Sequence, residues 1–391
     1  MRIAMCTETY LPYVNGVVTH INLLKQVLES LGHEVLIVTV SNEKKLQLTD
    51  GVLRCPSFRV ERLYGYRATY PFSRARLQAL AAFKPDIIHI HNEYTLGLFG
   101  IYAARKLEVP LVYSIHMDFA AYIGKFPGAL TLFRRPLLRY LGHYVKHADL
   151  LVSMSPKAQT YVDSTPHRKQ VHLLPNAVEV RRFADDPDWR SKRAATRAEL
   201  GLADGTAAFV FIGRIAPEKS IDELIRQYSR LNLPPDRAQL FIVGGGPSLD
   251  KLREGVAAAG QAEQIRFLGH VANDKLDELL FGMDYYMSAS TSEMHSMSML
   301  EAMAAGLFCL IRHDAQNDWQ VEPDVNGMIW HDTADLAAGV SRLLDESAAA
   351  KAGRRERVLA WSRDNDELTQ TKRLLQHYER VIRSCRPAAQ A

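Results

Sequence analysis

Three stretches in the second half of this 391-residue chain carry residue types that could do chemistry together. In Ile212-Gly213-Arg214-Ile215-Ala216-Pro217-Glu218-Lys219 an apolar run ends on Gly and is followed by two cations ahead of a helical pattern. Arg214 and Lys219, beside the positive end of a helix, could converge on a diphosphate; the plainer alternative is a solvated loop with surface cations. Between Ser292 and Gly306 stand two carboxylates, Glu293 and Glu301. One continuous helix would set them about 12 Å apart along its axis, too far for an acid/base pair on one bond but suited to two parts of one long ligand. If the helix instead starts near Ser296, the free N–H groups around Ser296, Met297 and Ser298 would face an anion, with Glu293 before the helix and Glu301 inside it. The alternative is an amphipathic helix with Met297, Met299 and Met303 in the core. The third stretch, Val243-Gly244-Gly245-Gly246-Pro247, lacks the spacing of a dinucleotide fingerprint and reads as a tight strand-to-helix turn lining the same pocket, with Gly244 at its start.

The first half offers fewer candidates. The first strand-to-helix connection, Thr7 to His20, is long and carries Asn15-Gly16, where Gly16 could let the backbone approach a ligand or could simply start a helix. Histidines gather at strand ends: His89 and His91 in Asp-Ile-Ile-His-Ile-His, and His116 in Tyr-Ser-Ile-His-Met-Asp. His116 directly follows a buried-type strand, a place that suits contact with a ligand in a cleft, though most such histidines are structural. A zinc site is a poor reading, because no third ligand is suitably spaced and the four cysteines show no CxxC pattern.

These residues need strand ends to hold them, and the chain supplies two sets. Short apolar runs alternate with helical patterns from Arg2 to Ser153 and again from Ala208 to Ile311, which predicts two parallel sheets covered by helices on both faces. The polar stretch around Asp185 to Gly205 separates them. The expected domains are therefore 1–185, a linker at 186–205, a second domain at 206–365 and a terminal helical segment at 366–391. Length favours two cores over one, and a 47% hydrophobic, 24% charged composition excludes a disordered chain. Residues 1–185 carry a net +9 and the remainder −5, and no nucleic-acid partner is expected. No apolar run approaches the roughly 20 residues that span a bilayer, and the N-terminus is too short for a signal peptide, so a cytoplasmic location is expected.

Taken together, Thr-Glu-Thr-Tyr-Leu-Pro-Tyr-Val-Asn-Gly-Val at the start, Pro-Asp-Ile-Ile-His-Ile-His, the His116 segment, Leu-Pro-Asn-Ala-Val at Leu174, Gly-Arg-Ile-Ala-Pro-Glu-Lys-Ser at Gly213, the Gly244 turn and the E-x7-E element resemble the retaining glycosyltransferases of family 4. The resemblance covers nearly the whole chain and implies the α/β GT-B fold, two doubly wound Rossmann-like domains facing across a cleft, with the last helix crossing back to the first domain. It implies that Arg214 and Lys219 bind the diphosphate of a nucleotide-sugar donor, Glu301 its ribose and Glu293 the hydroxyls of the transferred sugar. It further implies that His116 contacts the sugar and that Gly16 approaches the phosphates. One departure is that Met294-His295-Ser296-Met297-Ser298 stands where many members have a Gly and an aromatic residue. Retention of configuration without metal or cofactor is the implied chemistry, and the sequence has no DxD-like acidic pair in a strand-end loop.

The opening segment is also similar to diacylglycerol glycosyltransferases and their mannosyltransferase relatives, which points to a membrane lipid or lipid-linked glycan as acceptor. A UDP-hexose is the first expected donor and GDP-mannose the second. Phe133 to His147 mixes Arg134, Arg135, Arg139 and Lys146 with large apolar residues, a composition that could rest on an anionic membrane surface or could simply cover the sheet. The protein would then be peripheral on the inner face of the membrane. Two other classes fit the same architecture: a nucleotide-sugar 2-epimerase and a non-catalytic sugar-nucleotide-binding subunit.

Overall fold

A computed structural model of the chain describes residues 1–13, 15–59, 67–116, 129–184 and 186–385, with the side chains of 129–134 left aside. The chain divides into two compact units, Met1–Asn176 with Glu367–Ala391, and Ala177–Asp366.

The first unit holds strands β1 (Arg2–Cys6), β2 (Glu34–Ser41), β3 (Gln47–Thr49), β4 (Val52–Pro56), β7 (Ile87–Ile90), β8 (Leu111–Ile115), β9 (Leu150–Ser153) and β10 (Val171–Leu173) in one sheet of order β10-β9-β8-β7-β1-β2-β4-β3. Only the edge strand β3 runs antiparallel to its neighbour. A short pair, β5 (Phe58–Arg59) and β6 (Arg67–Ala68), lies outside that sheet. Strands β1, β7, β8 and β9 are buried along most of their length, as a sheet covered on both faces requires. The helix Gly16–Ser30 is capped by the Asn15 side chain, which accepts from Val18 N at 3.0 Å, and it buries Val18, Ile21, Leu24, Val27 and Leu28 at helical spacing. Leu374, Leu375, Tyr378 and Val381 of the helix Glu367–Cys385 join the same core as Ile3, Ile21 and Ile37. Each such fully buried aliphatic side chain contributes about 1.5–3 kcal/mol.

In the second unit β11 (Ala207–Ile212), β12 (Ala238–Val243), β13 (Ile265–Gly269), β14 (Tyr285–Ser288), β15 (Phe308–Arg312) and β16 (Gly327–Trp330) form an all-parallel sheet of order β13-β12-β11-β14-β15-β16. Both sheets are doubly wound, with switch points between β1 and β7 and between β11 and β14, and these are the points where such sheets take ligands.

The stretch read as a linker, 186–205, lies inside the second unit and contains the helix Trp189–Glu199. Asp185 lies outside the described residues. That helix has no buried side chain, so no apolar stripe announces it. Cations and a hydroxyl hold it instead: Arg193 donates to the carbonyls of Phe281 and Met283 at 2.9 Å, Arg193 and Arg197 both pair with Asp284, and Thr196 Oγ1 donates to Glu278 O at 3.0 Å.

Candidate active site

In the second unit the turn after β11 is zipped to the glycine turn after β12. Gly213 N donates to Val243 O at 3.0 Å, Ile215 N to Gly245 O at 2.9 Å and Ser248 N to Ile215 O at 3.0 Å. A Cβ on Gly244 would fall 1.9 Å from Gly213 O, and one on Gly246 2.3 Å from Ile215 O. Both glycines have positive φ, +134° and +159°. The glycine run is therefore what lets the Arg214 turn lie directly against the neighbouring strand end. Ile215 and Ala216 are buried anchors, while Arg214 is exposed. Pro217–Lys219 forms one 3-10 turn, and Ser220 at φ +51° starts the helix Ile221–Arg230. Asp222 and Glu223 occupy that helix's first turn and already complement its positive end.

The other helix terminus is differently furnished. The helix Met297–Ala304 begins at Ser296, whose side chain accepts from Met299 N at 3.4 Å, and its first turn carries no acid. Its leading N–H groups follow the end of β14, the arrangement that binds anions. Met299 and Met303 are buried and Met297 packs against the core, while Ser298 exchanges hydrogen bonds with Ser296 at 3.1 Å and the Tyr286 hydroxyl at 3.2 Å. Glu293 stands just before this helix and forms an ion pair with Lys219 Nζ. Ser292 Oγ donates to Glu218 O at 2.6 Å, which adds a second link between the two turns. Glu301 sits in the helix, half-buried, and its carboxyl is pushed up to about 7 by burial, with Arg182 pulling the other way. Lys219, Glu293, Ser296, Met297, Ser298 and Glu301 thus gather at the β11/β14 switch point, beside the Arg214 and Gly244 turns.

Asn317, in the loop after β15, was not singled out in the sequence. It is 5% exposed, and its Nδ2 donates to Glu293 O at 2.7 Å and to Asp314 Oδ2 at 3.0 Å. Its position past a strand end was the available signal, but a lone Asn in a polar loop has no distinguishing pattern.

The remaining candidates belong to the first unit. Gly16 is exposed and opens the helix behind the Asn15 cap. His116 is half-buried at the end of β8, and its Nε2 lies 3.0 Å from Nδ1 of the wholly buried His91. His20 packs edge-on against it at 5.5 Å between ring centroids. Burial pulls all these imidazoles down, His20 to about 4 and His89, His91 and His116 well below the usual histidine range. Nearby, Glu8 is buried and caps the helix Thr95–Leu107 from another loop, accepting from Leu96 N and from Thr95 Oγ1. Asn92 Oδ1 accepts from Thr7 Oγ1 at 2.6 Å and Glu8 N at 3.0 Å, which ties the first loop to the end of β7. Burial lifts the carboxyls of Glu8 and Glu93 to about 7. The side chain of Arg134 lies outside those described; Arg135, Arg139 and Lys146 are exposed on the helix Ala129–His147, whose Leu141, Tyr144 and Val145 are buried.

Comparison with known proteins gives this geometry a lineage. A family model described as Glycosyltransferase Family 4 matches residues 14–182, and one described as Glycosyl transferases group 1 matches residues 192–358. The chain belongs to the GT-B glycosyltransferases. It is an enzyme of that family. It is 27% identical over 344 residues to the alpha-monoglucosyldiacylglycerol synthase of Acholeplasma laidlawii, covering 86% of each chain. It is 28% identical over 407 residues to the GDP-mannose-dependent alpha-mannosyltransferase of Mycolicibacterium smegmatis, covering 99% of this glycosyltransferase and 100% of that one. Among solved structures, Anabaena HepE in complex with UDP superimposes with a TM-score of 0.75 at 18% identity, over 97% of this chain and all of that one, a likeness of fold.

Proposed function

We propose that this glycosyltransferase moves a hexose, with retention of configuration and without a metal ion, from a UDP-hexose to a hydroxyl of a membrane lipid or lipid-linked glycan. The observation that carries the donor half of this reading is the Lys219–Glu293 ion pair set before a Ser296-capped helix whose first turn carries no acid. Lys219, Arg214 and the N–H groups of Met297 and Ser298 hold the diphosphate, Glu301 accepts from the ribose hydroxyls, and Glu293 holds hydroxyls of the sugar. As the bond from the anomeric carbon to the phosphate oxygen breaks, the acceptor oxygen bonds to the same face of that carbon. The acceptor's proton passes to the departing phosphate, whose charge the cations and helix terminus offset. The glucosyldiacylglycerol synthase relative supports a lipid acceptor and a glucose donor. A GDP-mannose donor is the second reading, favoured by the full-length match to the mannosyltransferase.

Titrating UDP and UDP-glucose into parent, Lys219→Ala and Glu293→Ala separates the roles. Lys219→Ala is expected to lose affinity for both ligands, by about 10-fold or more. Glu293→Ala is expected to keep UDP and lose the extra affinity and turnover that the sugar brings. Parent-like turnover in Glu293→Ala contradicts the assignment.

A further inference from the structure

The histidines at the ends of β7 and β8 form a stack whose hydrogen bonds determine where their protons sit. His89 has both nitrogens engaged, Nδ1 with the Tyr378 hydroxyl at 2.5 Å and Nε2 with Ser114 Oγ at 2.7 Å. The His91 ring lies 4.0 Å from that of His89 and 5.2 Å from that of His116, between centroids. Its Nδ1 meets His116 Nε2 at 3.0 Å, while its Nε2 is buried and has no hydrogen-bond partner among the described residues. Rings packed this closely, one wholly buried, exclude an imidazolium, so each neutral ring carries a single N–H.

Only two arrangements satisfy the 3.0 Å contact. If His116 donates from Nε2, the proton of His91 must sit on its Nε2, a buried N–H with nothing to bond. If His91 donates from Nδ1, its Nε2 is a bare lone pair and His116 carries its own proton on Nδ1. A buried orphan N–H is the rarer and costlier outcome, whereas an unfilled acceptor is better tolerated. We propose that His91 is a positioning residue that fixes His116 as the Nδ1–H tautomer, so that His116 meets its ligand as a hydrogen-bond donor. This rests on the reading that His116 contacts the sugar. A donor there can hold a sugar oxygen but cannot take the acceptor's proton, in keeping with proton transfer to the leaving phosphate.

The tautomer is read directly from long-range proton–nitrogen spectra of the full-length protein labelled with 15N-histidine, assigned with His116→Gln. The expected pattern is a protonated Nδ1 and a bare Nε2 on His116; the reverse overturns the proposal, whatever the substrate. Two variants test its role in transfer. His91→Asn keeps a donor near the Nδ1 position, whereas His91→Gln moves it towards the Nε2 position. His91→Asn should restore most of the kcat that His91→Gln loses, on the order of 10- to 100-fold, with donor KM little changed. Equal kcat in the two variants also overturns it. If His116→Gln transfers sugar like the parent while the spectra show Nδ1–H, the reading of His116 fails and the tautomer assignment stands.

Discussion

Gly244, Gly245 and Gly246 form one run in sequence but do different work. Gly244 and Gly246 have positive φ and face backbone oxygens at distances no Cβ tolerates, whereas nothing lies within 4 Å of a Cβ on Gly245. Gly244→Ala or Gly246→Ala should cost about 2–4 kcal/mol in chemical denaturation and weaken nucleotide binding, because the Arg214 turn must move. Gly245→Ala should change neither by a measurable amount. The run was legible as a turn, since Gly-Gly-Gly-Pro after an apolar strand admits little else, but which glycine bears the close approach is set by the adjacent strand. Asn317 was hidden for a similar reason: its bond to Glu293 O joins residues 24 positions apart.

Elements were legible where burial writes a pattern into the chain. The fully buried runs of β7, β9 and β14 read directly as strands of a parallel sheet, and the helix at Gly16 announced itself through Asn15 and its apolar spacing. The helix Trp189–Glu199 did not, because Arg193 and Arg197 dock it through carbonyls and Asp284. At the helix Ala129–His147 the solvent face carries Arg135, Arg139 and Lys146 while Tyr140 and Tyr144 donate to the carbonyls of Glu93 and Tyr94 at 2.6 and 2.9 Å. If this face meets anionic lipid, replacing the three cations by Ala should cut sedimentation with phosphatidylglycerol vesicles by about 10-fold or more. Unchanged sedimentation assigns the helix only its covering role.

The buried titratable groups around the strand ends of the first unit, with His20 on the helix Gly16–Ser30, also give acidification a defined direction. His20 has a folded value near 4, below the ordinary 6.5, so its contribution is fully present above pH 6.5 and is lost as pH falls towards 4. Glu8 and Glu93, raised to about 7, act oppositely: their contribution is complete below about 4.5 and is lost as pH rises through 7. Replacing His20 alone isolates one member. His20→Asn should shift the urea midpoint little between the variant and parent at pH 7.5, but leave the variant more stable by about 1 kcal/mol at pH 5.5. A parent-like loss on acidification would contradict the burial assigned to this ring.

At the scale of the whole molecule, each sheet has a doubly wound switch point, β1/β7 and β11/β14; Gly16 follows β1 and the Lys219 and Glu293 turns follow β11 and β14, whereas His116 follows β8 and Gly244 follows β12. This placement was legible because strand ends are where a parallel sheet exposes its loops to ligand. Among the described residues no helix is long and apolar enough to cross a membrane. The first 185 residues carry +9 against −5 for the remainder, so the surplus of cations lies in the first half. Metal-free transfer of sugar from a nucleotide diphosphate donor is the proposed reaction. Its most direct test is turnover of a panel of UDP-, GDP- and ADP-sugars with mixed membrane lipids and EDTA present. Turnover of one donor is expected, UDP-glucose first, with a glycolipid product of retained anomeric configuration. Absence of turnover until a divalent cation is restored, or a product of inverted configuration, would contradict it.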